Sequence, residues 1–104
     1  MDDIKNKLIL FNKERDWEQF HTPENLAKSI SIEAAELLEC FQWNNEYDIH
    51  AVSDEVADIV MYCVMFADKV NIDLKSEILR KLDENSKKYP VSKCKGSSKK
   101  YNEF

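Results

Sequence analysis

Apolar residues recur at helical spacing along most of the chain, separated by short polar breaks. Ile4, Leu8 and Phe11 form one stripe, which predicts a first helix capped by Asp2 or Asp3 and running to about Trp17. Phe20-His21-Thr22-Pro23-Glu24 reads as a break and a restart. Thr22 is a good N-cap, Pro23 suits the first helical position, and Glu24 favours the positive end of the helix. The second helix is expected from Pro23 to about Trp43, with Leu26, Ile30, Ala34, Leu37 and Phe41 inward. Asn44-Asn45-Glu46 should end it in a polar turn. A third helix is expected from about Ser53 to Val70, on the stripe Val52, Val56, Ile59, Cys63, Phe66 and Val70. Val60, Met61, Val64 and Met65 spread apolar surface around much of the remaining circumference. A helix so apolar expects burial on several sides, so the spare surface is expected to meet another subunit. A fourth helix, from about Asp73 to Lys87, would turn Leu74, Ile78 and Leu82 inward, and Pro90 would stop it. From Val91 the chain is polar and basic and holds the single glycine, so residues 91–104 are expected to form a loop or tail.

Acidic residues break this pattern in an informative way. Glu33 with Glu36, and Glu55 with Asp58, are each three residues apart, nearly one helical turn, so each pair projects from one side of its helix. Relative to the apolar stripe of the second helix, Glu33 should lie roughly 60° and Glu36 roughly 120° from its centre. On the third helix, Glu55, Asp58, Tyr62 and Lys69 share an arc of roughly 60°. Two acids, a phenol and an amine on the polar strip of an otherwise apolar helix suit a ligand. Carboxylates crowded together repel one another and resist desolvation unless a cation compensates. Two pairs on consecutive, antiparallel helices could therefore hold Mg²⁺, which prefers oxygen ligands and often bridges to a phosphate.

Composition narrows the fold. With 104 residues, 43% hydrophobic and 34% charged, the chain suits one soluble domain over residues 1–104. One glycine and two prolines are too few for an all-β protein. The expected fold is all-α, a four-helix bundle-like domain. The net charge is −5, yet eight of the fifteen basic residues lie between Arg80 and Lys100. That basic run suits a polyphosphate or an ordinary solvated surface. It could also serve nucleic acid, but the strongly acidic remainder argues against a nucleic-acid partner. Three cysteines without CxxC spacing suggest neither a disulfide framework nor a zinc site. No signal peptide or membrane span is expected, and the protein is expected to be cytoplasmic.

Other chemistries fit less well. A di-iron bundle wants repeated Glu-x-x-His motifs, and the chain has one, Glu18 to His21, astride a helix break. No nucleophile elbow and no glycine-rich phosphate loop is present. Trp17 and Trp43 lie near helix ends, where they could pack the termini or form a flat platform for a nucleobase. His21 could hydrogen-bond locally or line the same pocket.

Taken together, Glu14-Arg15-Asp16-Trp17-Glu18-Gln19-Phe20-His21-Thr22-Pro23, then Glu33-x-x-Glu36-Leu37, then Phe41-Gln42-Trp43 resembles the all-α, MazG-like nucleoside triphosphate pyrophosphohydrolases. The dCTP pyrophosphatase branch looks closest. The family's ExxE…ExxD pattern is met by Glu33, Glu36, Glu55 and Asp58, with eighteen residues between the pairs. Lys81…Asn85…Lys88-Tyr89-Pro90 is similar to its closing signature. The resemblance runs from about Ile4 to Tyr101. It implies Mg²⁺-dependent cleavage of a nucleoside triphosphate between the α and β phosphates, in a housecleaning enzyme that assembles as a dimer or tetramer. Carried onto this chain, Glu33, Glu36, Glu55 and Asp58 would hold Mg²⁺, and Glu36 would accept a proton from the attacking water. Trp17 and Trp43 would sandwich or border the base, with His21 nearby. Tyr62, Lys69, Lys81 and Asn85 would contact sugar and phosphates, helped by Lys88 and Tyr89. Leu8 and Glu24 depart from the branch's expected polar and basic residues, and the turn between the acidic pairs is short. These departures bear on base preference more than on the reaction. The alternative reading is a non-catalytic helical module that binds a nucleotide or a partner.

Overall fold

The computed structural model describes residues 1–43 and 45–103, with Tyr101 described by its backbone alone. Every element among the described residues is helical. The chain divides into two compact units, residues 1–72 and residues 73 onward.

The first unit holds α1 (Asp2–Glu14), a 3-10 turn (Glu18–Phe20), α2 (Pro23–Glu39) and α3 (Ile49–Lys69). α2 packs along α3, and α1 packs on α3. Leu26 of α2 and Val64 and Ala67 of α3 are buried, together with one polar residue, Asn12 of α1. Met1 stands at the N-cap of α1, and Asp2 and Asp3 fall in its first turn, where they complement the helix dipole without capping it. α1 ends before the expected Trp17. Asp16 takes a left-handed conformation (φ 54°), and the Trp17 N–H turns back to donate to the Asn12 carbonyl at 3.0 Å. The Thr22 hydroxyl caps α2 as expected, accepting from the Asn25 N–H at 3.2 Å with Pro23 in the first turn.

α2 ends at Glu39, short of Trp43. The N–H groups of Cys40, Phe41 and Gln42 bond back three residues rather than four, the tightened geometry of a closing turn. The polar turn expected at Asn44-Asn45-Glu46 falls partly on Asn44, outside the described residues. α3 begins four residues before Ser53. The Asp48 carboxylate caps it by accepting from the His50 N–H at 2.9 Å, and Asp serves as an N-cap as well as Ser does.

The inward face of α2 is turned relative to the stripe read from hydrophobicity. Ala34 is exposed, whereas Glu33, Glu36, Leu37 and Cys40 are half-buried with Ile30. By helical rotation Glu33 points within roughly 20° of buried Leu26. An acid therefore occupies the middle of the face packed against α3. The outer faces stay apolar: Ile32, Leu38, Val56 and Val60 are all exposed in the single chain.

In the second unit α4 (Leu74–Lys88) is capped by Asp73, whose carboxylate accepts from the Ser76 N–H at 3.1 Å. Leu74 is half-buried, while Ile78 and Leu82, expected inward, are exposed. Pro90 ends this helix as expected. The segment from Val91, expected as loop, forms a short helix α5 (Val91–Cys94) and a 3-10 turn at Tyr101–Glu103. No helix among the described residues is long and apolar enough to cross a membrane.

Candidate active site

Carboxylates converge where α2 faces α3. One oxygen each from Glu33, Glu55 and Asp58 lies within 4.8 Å of the others. The Glu36 carboxyl stands within hydrogen-bonding reach of both Glu33 and Glu55. Oε2 of Glu33 and Oε2 of Glu55 are buried with no hydrogen-bond partner, an arrangement proteins rarely leave uncompensated. The three half-buried acids of the cluster sit among Ile30, Leu37 and Ile59, also half-buried.

Electrostatics register the crowding. Burial, above all, raises Glu33 to about 7, reinforced by bonds from Glu36 and Glu55 that favour its protonated form and by the charges of Glu36 and Asp58. Glu55 is also raised, first by burial and then by Glu36. Lys5 pairs with Asp68 and Lys28 with Glu24, so these lysines of the same unit serve other acids. An all-oxygen donor set with two orphaned buried atoms fits a hard divalent cation of the Mg²⁺ kind. Glu33, Glu55 and Asp58 would hold it, with Glu36 alongside.

The remaining expected site residues are distributed unevenly. Tyr62 is half-buried on α3, one turn beyond Asp58. His21 and Lys69 line a pocket between α1, the 3-10 turn and the C-terminal half of α3, together with Leu8, Asn12, Met65 and Asp68. Trp17 is 44% exposed and meets Phe11 edge-on, with ring centroids 5.6 Å apart. Trp43 follows α2 in a bend and is 90% exposed. Lys81, Asn85, Lys88 and Tyr89 belong to the second unit. Lys81 and Lys88 both bond Glu84, at 3.2 and 3.1 Å, and this pairing with Lys88 and then Lys81 lowers Glu84 to about 2. The Asn85 carbonyl accepts from the Tyr89 N–H at 2.8 Å.

The contact between Asn12 and Met65 is not legible in the sequence. The Asn12 amide nitrogen donates to the Met65 sulfur at 3.1 Å. The burial of Asn12 did leave a signal: Asn12 falls at the next inward position after Lys5, Leu8 and Ile9, with i, i+3, i+4, i+7 spacing, so a polar residue stood in a core register.

Fold and site together define an all-α protein with an acidic cluster, suited to a divalent cation, on two facing helices. The pattern of the MazG-like family matches residues 28–104. The chain is 35% identical to human dCTP pyrophosphatase 1 and 36% identical to the bovine protein, in each case over all of this chain and 67% or 68% of the relative. Its fold is similar to the crystal structure of a pyrophosphatase from Archaeoglobus fulgidus, with a TM-score of 0.78 and 38% identity, covering 86% of this chain and 92% of that one. The chain belongs to the MazG-like family.

Proposed function

We propose that the protein is a Mg²⁺-dependent nucleoside triphosphate pyrophosphohydrolase. It cleaves a deoxynucleoside triphosphate, dCTP or a modified relative of it, to the monophosphate and pyrophosphate. The observation that carries this reading is the convergence of Glu33, Glu55 and Asp58 oxygens with two buried oxygens unpartnered, in a chain similar to dCTP pyrophosphatases over its whole length.

Bound there, Mg²⁺ supplies positive charge to the phosphates and makes water a better nucleophile. The chain's own groups do the rest. Glu33, Glu55 and Asp58 would hold the cation and through it position the reacting phosphates, burial between α2 and α3 limits competing water, and Glu36 lies beside the three converging oxygens. We assign Glu36 as the base: as the water oxygen bonds to phosphorus at the α–β bridge, the bridging P–O bond breaks, pyrophosphate leaves, and the water's proton passes to Glu36. Tyr62, one turn from Asp58, suits the sugar or the α-phosphate. Lys69, Lys81, Asn85, Lys88 and Tyr89 suit the phosphates. For Lys81 and Lys88 this means exchanging Glu84 for a more highly charged anion. Trp17 and Trp43 expose flat aromatic surface suited to stacking on the base, with His21 nearby.

The exposed apolar residues Ile32, Leu38, Val56 and Val60 support assembly into a homodimer or tetramer. Free cysteines at 40, 63 and 94 suit a reducing cytoplasm, where clearing unwanted nucleotides is the expected role. Incubation of a panel of natural and modified triphosphates with Mg²⁺, followed by phosphorus NMR, tests the reading. Monophosphate and pyrophosphate are expected. Diphosphate with orthophosphate, or no turnover, would overturn it.

A further inference from the structure

Phe11, expected on the inward stripe of α1, is 44% exposed, whereas Leu8 and Ile9 are half-buried and Asn12 is buried. The Phe11 ring meets surface neighbours instead. The Arg15 guanidinium lies over it, with Cζ 3.7 Å from the ring centroid, and an Arg15 nitrogen donates to the Phe11 carbonyl at 3.1 Å. The Trp17 indole meets the same ring at 5.6 Å between centroids, with the planes 72° apart. Near-perpendicular ring pairs and a cation over a ring face are both favoured by the aromatic quadrupole. Arg15, Phe11 and Trp17 thus form one chain of ring contacts at the end of α1.

The Trp17 backbone is held as well. Its N–H donates to the carbonyl of buried Asn12, and its own carbonyl accepts from the Phe20 N–H, both at 3.0 Å. The reversal that brings it there runs through Asp16, at φ 54°, a conformation that few residues with a side chain adopt. Gln19 secures it: its amide nitrogen donates to the Asp16 carbonyl at 2.9 Å and to the Asp16 carboxylate at 3.0 Å. Backbone strained in this way persists where its surroundings over-determine it, and it clusters at ligand clamps. Rings set 72° apart leave at least one indole face uncovered by Phe11, and Trp17 is 44% exposed. We propose that Phe11 and Arg15 are positioning residues for substrate binding, which set the Trp17 indole in advance as a stacking surface for the nucleobase. The inference rests on the nucleotide-hydrolase reading and deepens it. Stacking asks for a flat, rigid ring, and a ring already ordered loses little freedom when the ligand arrives.

Phe11→Leu keeps an apolar side chain but removes the ring. KM for the best triphosphate substrate should rise about three- to tenfold, the scale of ordering one side chain on binding. The kcat should be unchanged, as when an interaction common to ground and transition states is lost. Phe11→Tyr restores a ring and should restore the wild-type KM. Arg15→Gln uncovers a face of Phe11 and should raise KM in the same direction, and it decides the matter if Phe11→Leu does not fold by circular dichroism. The indole itself gives a second readout. The chain has two tryptophans, so a Trp43→Phe background leaves Trp17 as the single one. Its fluorescence anisotropy should decay with the tumbling of the protein and gain a faster, side-chain component in Phe11→Leu. The α,β-imido analogue of dCTP should quench its emission. A wild-type KM in either folded variant would remove that residue from the assignment, and a lowered thermal midpoint beside it would mark mere packing of the helix end. An indole equally immobile in Phe11→Leu, or no quenching in a protein that hydrolyses dCTP, would overturn the proposal while leaving hydrolysis intact. Failure to hydrolyse any triphosphate would instead overturn the nucleotide reading beneath it.

Discussion

Binding of a divalent cation to the carboxylate cluster is expected to weaken about tenfold as pH falls from 8 to 6. Glu33 has been raised to about 7, chiefly by burial, and a metal competes with the proton for the same oxygens. With that value the competition factor is about 11 at pH 6 and about 1.1 at pH 8, because ligands must lose their protons to bind. Glu55 is raised too, by burial and by Glu36, and pushes in the same direction. The measurement is isothermal titration of the nucleotide-free protein with Mn²⁺ or Mg²⁺ at pH 6, 7 and 8. In Glu33→Gln the affinity should be lower and its dependence on pH shallower. The same proton has a signature in folding. Between about pH 4.5 and 7 the native protein holds a proton that the unfolded chain has released, so metal-free stability should fall as pH rises through that window. Saturating divalent cation should reverse the loss at pH 8, since a ligand bound only by the native state stabilises it. A wild-type affinity unchanged between pH 6 and 8 would refute the reasoning.

Four further outcomes follow from the geometry. Trp43→Ala should raise KM for the triphosphate while leaving the thermal midpoint unchanged, because the ring is 90% exposed; a lowered midpoint with unaltered KM would assign it to packing. Thr22→Ala removes the cap on the Asn25 N–H and should cost about 1 kcal/mol, lowering the midpoint by about 4–8 °C in a domain of this size, as read by circular dichroism. Val60→Glu places a charge on an exposed apolar face of α3 and should yield monomers in analytical ultracentrifugation; persistence of the oligomer would move the interface elsewhere. Glu84→Gln takes from Lys81 its carboxylate partner, so the Ki for pyrophosphate should fall, an effect that added salt should erase.

Much of this was legible in the chain. The helical class followed from spacing and from the scarcity of glycine and proline. Thr22-Pro23 marked the start of α2 because a hydroxyl cap and a proline at the first position are local chemistry. Hydrophobic spacing continues past the ends of α1 and α2 and so extends both expected helices. What stops α1 is a left-handed turn at Asp16, and what closes α2 is a run of tightened bonds after Leu37; neither leaves a strong mark in periodicity. Asp48 and Ser53 are both competent caps, so the sequence alone does not separate a start at Ile49 from one a turn later.

The acids are legible in the sequence as two pairs able to hold one cation, but the depth of Glu33 on the α2 face is not. Scoring the α2 face by hydrophobicity turned it toward Ala34, whereas burial places Glu33 in the middle. A stripe drawn from apolar residues alone must misjudge a face whose purpose is to bury charge. The Asn12–Met65 contact joins residues fifty-three apart, and no local pattern links them. Exposure of Trp43, Ile78 and Leu82 likewise depends on which surfaces tertiary packing covers.

The central claim is that α2 and α3 bring their acids together to hold a divalent cation on a triphosphate. Its most direct measurement is phosphorus NMR of a nucleoside triphosphate incubated with Mg²⁺ and either wild-type protein or Asp58→Asn. The wild type should release pyrophosphate and monophosphate, and the variant, with helix content unchanged by circular dichroism, should release neither. A folded Asp58→Asn protein that turns over at the wild-type rate would contradict the account.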